Sequence, residues 1–178
     1  MKFLELVKKR KSCRKYISKP VSREIIEKCI LAARDAPSAC NSQPWHFIVI
    51  ENENIRKEIA KKAFSGVYSM NNFAKNAPVL IVIVRENSKV IARIGEFYRR
   101  MKYNLIDIGI ACEHFILAAA EEGLGTCWLG WFDEKWVKKK LDIGRNKKID
   151  IIIALGYSGE TEYTEKARKP IDEICEYR

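Results

Sequence analysis

The chain has 178 residues, 47% of them hydrophobic, which is enough to bury the core of one domain, and we expect that domain to span residues 1–178. The N-terminal residues lack the continuous apolar stretch of a secretory signal, and the apolar runs at residues 78–84 and 149–155 are too short to cross a membrane as helices, so we expect a cytoplasmic protein without a membrane partner. The formal net charge of +10 favours anionic ligands, although surfaces rich in Lys and Glu are also common in heat-adapted proteins.

The first half of the chain predicts three helices, a loop and a strand. In chain order these are a helix at residues 3–7, a helix at residues 22–35, a loop at residues 36–44, a strand at residues 45–50 and a helix at residues 54–64. Ser22 is a good N-cap for the second helix, after the break at Pro20. The stretch around Gly66 shows no strong period.

The second half alternates strands and helices. In chain order these are a strand at residues 79–84, a helix at residues 91–122, a strand at residues 125–132, a helix at residues 133–141 and a strand at residues 149–155. The first of these strands is apolar throughout, which predicts a central position buried on both faces. The long helix is expected to end at Gly123 and to bury one face, formed by Leu105, Ile108, Cys112, Phe115, Ile116 and Ala119. Residues 157–178 show little periodicity, and the whole order predicts a layered α/β or α+β domain.

Cysteine and histidine spacing gives no support to a metal site. The six cysteines form no CxxC pair, and His46 and His114 are the only histidines available to share a metal with them. We therefore expect reduced thiols and no metal, with Cys29 and Cys112 acting as small apolar groups on buried helix faces.

The first candidate for chemistry is the basic segment, residues 10–16, with the sequence RKSCRKY. Guanidinium groups bind phosphate oxygens bidentately, lysine adds a point charge and serine donates a hydrogen bond, so the segment suits a phosphate monoester. A solvated surface or a nucleic-acid patch has the same composition, and these alternatives stay open at this point.

Three further segments could meet a ligand. The amide loop, residues 36–44, offers donors and acceptors that suit the edge of a heterocycle, although it also suits a plain connector. The glycine segment, residues 123–131, lets backbone approach something flat, or forms a bulge. Arg168 and Lys169, before Pro170, either close over an anion or lie in solvent. No GxGxxG follows a strand, and no P-loop motif is present.

Taken in this order, the four segments resemble the nitroreductase superfamily of flavoproteins over nearly the whole chain. Members of that superfamily have an RRSxRxF/Y-type element, a PSxxNxQPW-type loop, a GLGTxWLG-type strand and a late RKP. This sequence matches them with RKSCRKY, PSACNSQPW, GLGTCWLG and RKP. It departs from the pattern at Lys11, where the family often has Arg or His, and at Ser158, where a proline is expected.

The resemblance implies an α+β fold, a three-layer sandwich in which a central mixed sheet is flanked by helices. It also implies an intertwined homodimer with FMN at the subunit interface. Carried over by position, the FMN-binding residues are Arg10, Lys11, Ser12, Arg14, Ser38, Asn41, Trp128, Leu129, Gly130, Arg168 and Lys169. Ser38 and Asn41 would approach the flavin from the partner subunit, and residues 128–130 would line one face of its ring.

The function implied by the resemblance is an FMN-dependent oxidoreductase. Such an enzyme takes electrons from NADH or NADPH and passes them to a small organic acceptor such as a nitroaromatic or a quinone. No side chain is required as a nucleophile, and the sequence names neither the physiological acceptor nor the preferred nicotinamide nucleotide. The alternative is a basic module that binds nucleic acid or another polyanion without redox activity, and the resemblance makes a nucleic-acid partner the weaker expectation.

Overall fold

The computed structural model describes residues 2–87, 100–160 and 166–178. The helices are α1 (Phe3–Lys9), α2 (Arg23–Arg34), α3 (Glu53–Ala63), α4 (Tyr103–Glu121) and α5 (Glu134–Lys140). The strands are β1 (Trp45–Ile50), β2 (Val79–Arg85), β3 (Gly125–Leu129) and β4 (Lys148–Gly156). Shorter 3₁₀ segments lie at Ala39–Asn41, Gly66–Asn76 and Ile171–Glu173.

The four strands form one sheet in the order β1-β2-β4-β3. Each neighbouring pair is antiparallel, so the expectation of a mixed sheet is wrong for these strands. Among the described residues, the parallel pairing is an isolated bridge between Ser12 and Thr126 at the outer side of β3. β4 lies between β2 and β3 and runs antiparallel to both, and β3 forms one outer edge.

β2 divides the core into two layers because its successive side chains point to opposite faces of the sheet. Leu80, Val82 and Val84 join the cluster packed under α3 and α5. Val79, Ile81 and Ile83 join the cluster under α2 and α4. The predicted α+β sandwich of helices, sheet and helices is confirmed, with β2 central and buried as expected.

The long helix differs from its prediction at the N-terminal end. Residues 88–99 lie outside the described residues, and Arg100 has a φ of 51°, so the described chain is not yet helical there. The helix begins at Tyr103, and Leu105, expected on the buried face, is 41% exposed. The rest of the predicted face is buried because it packs on the sheet and α2.

The ends of the helices and of β3 show which capping residues the sequence predicted correctly. Gly123 has a φ of 78° just after α4, the left-handed conformation that glycine adopts without steric cost. Asp133 caps α5, since its side chain accepts a hydrogen bond from Trp136 N at 3.0 Å. α2 begins after Ser22 as predicted, but the Ser22 hydroxyl makes no capping hydrogen bond. β3 ends at Leu129, three residues before the predicted end, because the chain turns there toward α5.

One described helix, α4, is long and apolar enough by length and composition to cross a membrane. The share of its apolar window that is buried inside the fold is 44%, because one face packs on the sheet.

Candidate active site

The basic segment is attached to the edge of the sheet. Ser12 bridges Thr126, and the Cys13 amide donates a hydrogen bond to the Thr126 carbonyl oxygen at 2.8 Å. Gly125 allows this approach, because a Cβ built there would lie 2.6 Å from the Cys13 Cβ. The basic segment and the glycine segment, separate in sequence, thus form one wall.

Tyr16 anchors the far end of the basic segment. Its hydroxyl, in the buried core, donates to the carbonyl oxygens of Cys13 and Ala154, at 2.8 and 3.2 Å. Burial raises the pKa of Tyr16 well above its ordinary value. Burial also raises the pKa values of the Cys13 and Cys127 thiols, so both stay protonated at neutral pH and are poor nucleophiles.

A cationic cluster, Arg10, Lys166 and Arg168, forms where α1 ends. Lys166 Nζ donates to the carbonyl oxygen of Val7, in the last turn of α1, at 2.7 Å. Burial lowers the pKa of Lys166, and the neighbouring charges of Arg10 and Arg168 lower it further. Lys166 was absent from the sequence-based assignment, since a single lysine in an aperiodic tail carries no local signal. The mutual repulsion within this cluster would be relieved by a bound anion.

Lys11 and Arg14 share a carboxylate that the sequence did not predict. Lys11 Nζ lies 2.8 Å from Glu160 Oε2, and the Arg14 amide donates to Glu160 Oε1 at 3.1 Å. These two donors lower the pKa of Glu160, first through the hydrogen bond from Lys11. The charge of Lys11 is therefore largely balanced within the protein, and Arg10 is the better candidate for an anionic ligand.

A cleft of about 300 Å³ opens beside the basic segment. Its walls come from the ends of α1 and α4, the start of β3 and residues 158–160. Arg10 and Lys11 line it together with Thr126, whereas Ser12 and Arg14 are exposed but are not among its lining residues. The cleft therefore brings together two of the four predicted residues of the basic segment.

The end of β3 presents an aromatic surface. The Trp128 side chain is 36% exposed, and Gly130 is exposed just beyond the strand. Leu129 is fully buried in the core, backbone included, so it presents no exposed surface to a ligand there. Trp131 is held nearby, because its Nε1 donates to the Val67 carbonyl oxygen at 2.9 Å and its ring packs against Tyr68.

The amide loop lies at a different place on the subunit, beside α4. The Gln43 amide donates to Ser38 Oγ, and Gln43 Nε2 donates to Asn41 Oδ1, both at 3.0 Å. These bonds join residues of the loop to one another. Ser38 and Asn41 are thus grouped together, but the described contacts do not bring them to the basic segment of the same chain.

The two late cations differ in their surroundings. Arg168 belongs to the cationic cluster, and its Nη1 donates to the adjacent Ala167 carbonyl oxygen at 2.7 Å. Lys169 Nζ lies 3.8 Å from Glu173 Oε2 and is exposed. Of the predicted pair, Arg168 is the one whose charge acts on Lys166, as that of Arg10 does.

The donor set fits a phosphorylated aromatic ligand. Guanidinium and ammonium groups at the end of α1 suit a phosphate, and an exposed tryptophan with adjacent backbone suits a flat ring. In the described ranges no group of three or more His, Cys, Asp or Glu side chains is placed to hold a metal ion.

Comparisons with known proteins show which proteins this chain is similar to. A model of the nitroreductase family matches residues 7–72 and 67–157. The chain is 31% identical over 174 residues to a protein of Methanothermobacter thermautotrophicus described as an NADH dehydrogenase/NAD(P)H nitroreductase, with 96% of this chain and 84% of that protein covered.

Two solved structures show the same fold over almost the full length. A nitroreductase family protein from Streptococcus pneumoniae superposes with a TM-score of 0.81 at 28% identity, covering 99% of this chain and 100% of that chain. An FMN-dependent nitroreductase from Clostridium difficile superposes with a TM-score of 0.73 at 28% identity, covering 96% of this chain and 94% of that chain.

Proposed function

Because the chain belongs to the nitroreductase family, we propose that it is an FMN-dependent oxidoreductase that uses NADH or NADPH as electron donor. The observation that carries this proposal most directly is the cationic cluster beside the cleft. Arg10, Lys166 and Arg168 supply positive charge that suits the phosphate of FMN, while Glu113 offsets part of the charge at Lys166. The FMN-dependent nitroreductase noted above supports the same cofactor.

The chain's own residues would bind and orient the cofactor. Arg10 and Arg168 supply guanidinium groups for the phosphate, Lys166 adds a third charge, and Ser12 offers a hydroxyl at the edge of β3. Lys11 acts more through its ion pair with Glu160, which orients the exposed side of the basic segment. Lys169 is paired with Glu173, so among these cations we expect it to contribute least to phosphate binding.

The ring would lie against the end of β3. There Trp128 and Gly130 present an aromatic surface and open backbone, while Leu129 supports them from the buried core. When bound, FMN accepts two electrons from a nicotinamide nucleotide and delivers them to a second substrate. Backbone N–H groups and positive charge near the ring stabilise extra negative charge, which is the electrostatic contribution expected of this wall.

We further propose that the protein works as a homodimer, one domain of residues 1–178 per subunit. The outer face of α4 supports this, because Leu105 and Ile106 are 41% and 48% exposed on a helix whose other face is core. An exposed apolar face of this kind favours a partner surface. In such a dimer the amide loop of one subunit, with Ser38 and Asn41, would meet the flavin held by the other.

The acceptor that we propose is a small organic molecule such as a nitroaromatic or a quinone, and the compartment is the cytoplasm. Trp131 and Tyr68 beside Gly130 offer aromatic surface to a flat acceptor. The name of the Methanothermobacter relative supports nitro compounds as the first class to test.

Purification tests the proposal. The protein should be yellow or bind added FMN stoichiometrically, and anaerobic NADH or NADPH should bleach the oxidised flavin spectrum. Adding a nitroaromatic or a quinone should restore the oxidised spectrum, and the amount of acceptor needed should match the number of electrons that each acceptor molecule takes up. A colourless protein that FMN does not reconstitute would contradict the proposal. Salt-sensitive retention of nucleic acid by such a colourless protein would favour the polyanion-binding alternative.

A further inference from the structure

Asp107 is a carboxylate within an apolar helix face. It lies on α4 beside Ile108, its side chain is 4% exposed, and the surrounding residues form the core cluster under α2 and α4. Burying a carboxylate is unfavourable unless hydrogen bonds compensate for lost water. An apolar residue would fill this position at lower cost, so core packing alone does not account for Asp107.

The carboxylate reaches across to the amide loop. Asp107 Oδ1 accepts a hydrogen bond from the Ala39 amide at 3.0 Å, joining positions 68 residues apart in the chain. The other hydrogen bonds described above for this loop join its own residues. They shape the turn, and the Glu86 amide, just after β2, donates to the Pro44 carbonyl oxygen at the loop's end, whereas the bond to Asp107 fixes the turn itself relative to α4.

The turn that Asp107 holds is strained. Cys40, Asn41 and Gln43 have φ values of 54°, 52° and 48°, three of the five positive values among the non-glycine residues that the structure describes. Side chains with a Cβ adopt this left-handed conformation at a steric cost, which asparagine tolerates best. Such strain persists only where surrounding contacts determine the backbone, and it concentrates at functional sites.

We propose that Asp107 is a positioning residue that holds the strained turn at residues 38–43 so that Ser38 and Asn41 are presented to the flavin of the partner subunit. This inference rests on the proposed function, since it assigns Asp107 a role through FMN. Asp107 itself touches neither the basic segment nor the cleft lining in the described contacts. The bond to the Ala39 amide is the described contact through which it would act on the cofactor.

The first experiment compares FMN affinity in Asp107→Leu and Asp107→Asn with that of the wild type. Leucine suits the apolar surroundings but accepts no hydrogen bond, and replacing a buried charge by an apolar group often preserves folding. We expect Asp107→Leu to weaken FMN binding at least five-fold by fluorescence titration of the apoprotein. Asp107→Asn keeps an oxygen that can accept from Ala39, so its affinity should stay within about two-fold of the wild type.

Cys112→Ala is the matched control, because Cys112 is fully buried on the same face of α4 and has no described bond to the amide loop. It should lower the melting temperature while leaving FMN affinity unchanged. Asp107→Ala replaces the leucine variant if the latter is insoluble.

Two double variants separate positioning from general stability. If Asp107 acts through Asn41, then Asp107→Leu combined with Asn41→Ala should bind FMN about as weakly as the weaker single variant, whereas independent effects would multiply. Cys40→Gly removes steric strain from the turn, so it should restore part of the affinity lost in Asp107→Leu.

Wild-type affinity in Asp107→Leu, or multiplying effects in the double variant, would overturn the role of Asp107 while leaving the proposed function intact. Failure of the wild type to bind FMN would instead overturn the proposed function.

Discussion

At the scale of single residues, the site is decided by which charges are balanced inside the protein. Lys11 is paired with Glu160, and Lys169 is paired with Glu173. Arg10 and Arg168 act on Lys166 as like charges at the end of α1, and Glu113 offsets them only in part, since the pKa of Lys166 stays lowered. Anion binding therefore depends on Arg10 and Lys166 more than on the total number of cations in the basic segment.

Replacing Arg10 by alanine tests this distinction. Charge-assisted hydrogen bonds contribute about 1.5–3 kcal/mol each, so Arg10→Ala should weaken FMN binding about ten-fold or more. Arg14→Ala should have a smaller effect, because the described contact of Arg14 with Glu160 uses its backbone amide. Equilibrium dialysis against FMN measures both, with the exposed Arg145→Ala as control. Unchanged flavin occupancy in both variants would refute the assignment of the basic segment.

The lowered pKa of Lys166 predicts a pH dependence of cofactor binding. Phosphate favours the charged lysine, so affinity is full below the lowered pKa and falls as the pH rises through it, earlier than for an ordinary lysine. FMN titrations from neutral to alkaline pH measure this fall, above the range where the phosphate itself takes up a second proton. Lys166→Arg should flatten the profile, and Lys166→Gln should bind weakly at every pH. An unchanged profile in Lys166→Gln would contradict the prediction.

At the scale of elements, the junction between the basic segment and β3 has no spare room. Gly125→Ala would place a Cβ 2.6 Å from the Cys13 Cβ and 2.8 Å from its sulfur. We expect a loss of about 1–3 kcal/mol in the free energy of unfolding, as for overpacked cores, together with weaker FMN binding because the segment is displaced. Urea denaturation measures the first effect, and flavin titration measures the second.

Lys62→Ala is the control for Gly125→Ala, since Lys62 is exposed on α3 and alanine favours the helix. Relief of the clash by Cys13→Gly in the Gly125→Ala background should restore part of the FMN affinity. Equal stability of Gly125→Ala and the wild type would contradict the tight packing of this junction.

At the scale of the whole molecule, the outer face of α4 predicts the oligomeric state. The wild type should be a dimer, and Ile106→Glu should shift it toward monomer because a charge replaces an exposed apolar contact. Sedimentation velocity measures the shift across a concentration series. The monomer should also lose FMN if the amide loop of the partner completes the site.

Lys61→Glu, on α3 in the opposite layer, is the charge control for Ile106→Glu. It should remain dimeric with unchanged flavin content. A monomeric wild type that binds FMN fully would contradict the shared site.

The elements that the sequence predicted best were those whose pattern depends on local chemistry. β1 has its predicted bounds, and Asp133 and Gly123 mark helix ends through capping and left-handed backbone. The antiparallel pairing was missed because period and burial are the same in both sheet types. Lys166 and Glu160 were missed because each acts through a partner about 150 residues away, which no local motif records.

The bridge between Ser12 and Thr126 also bears on how the protein behaves before it is loaded with cofactor. β3 pairs with β4 on one side, and the basic segment covers part of its other side. An uncovered strand edge is a template for pairing with another chain, and charged residues at such edges oppose aggregation. The residues that we assign to the phosphate therefore also oppose pairing of another chain with this edge of the sheet. Freshly made protein that lacks flavin should self-associate more readily when this segment is neutralised.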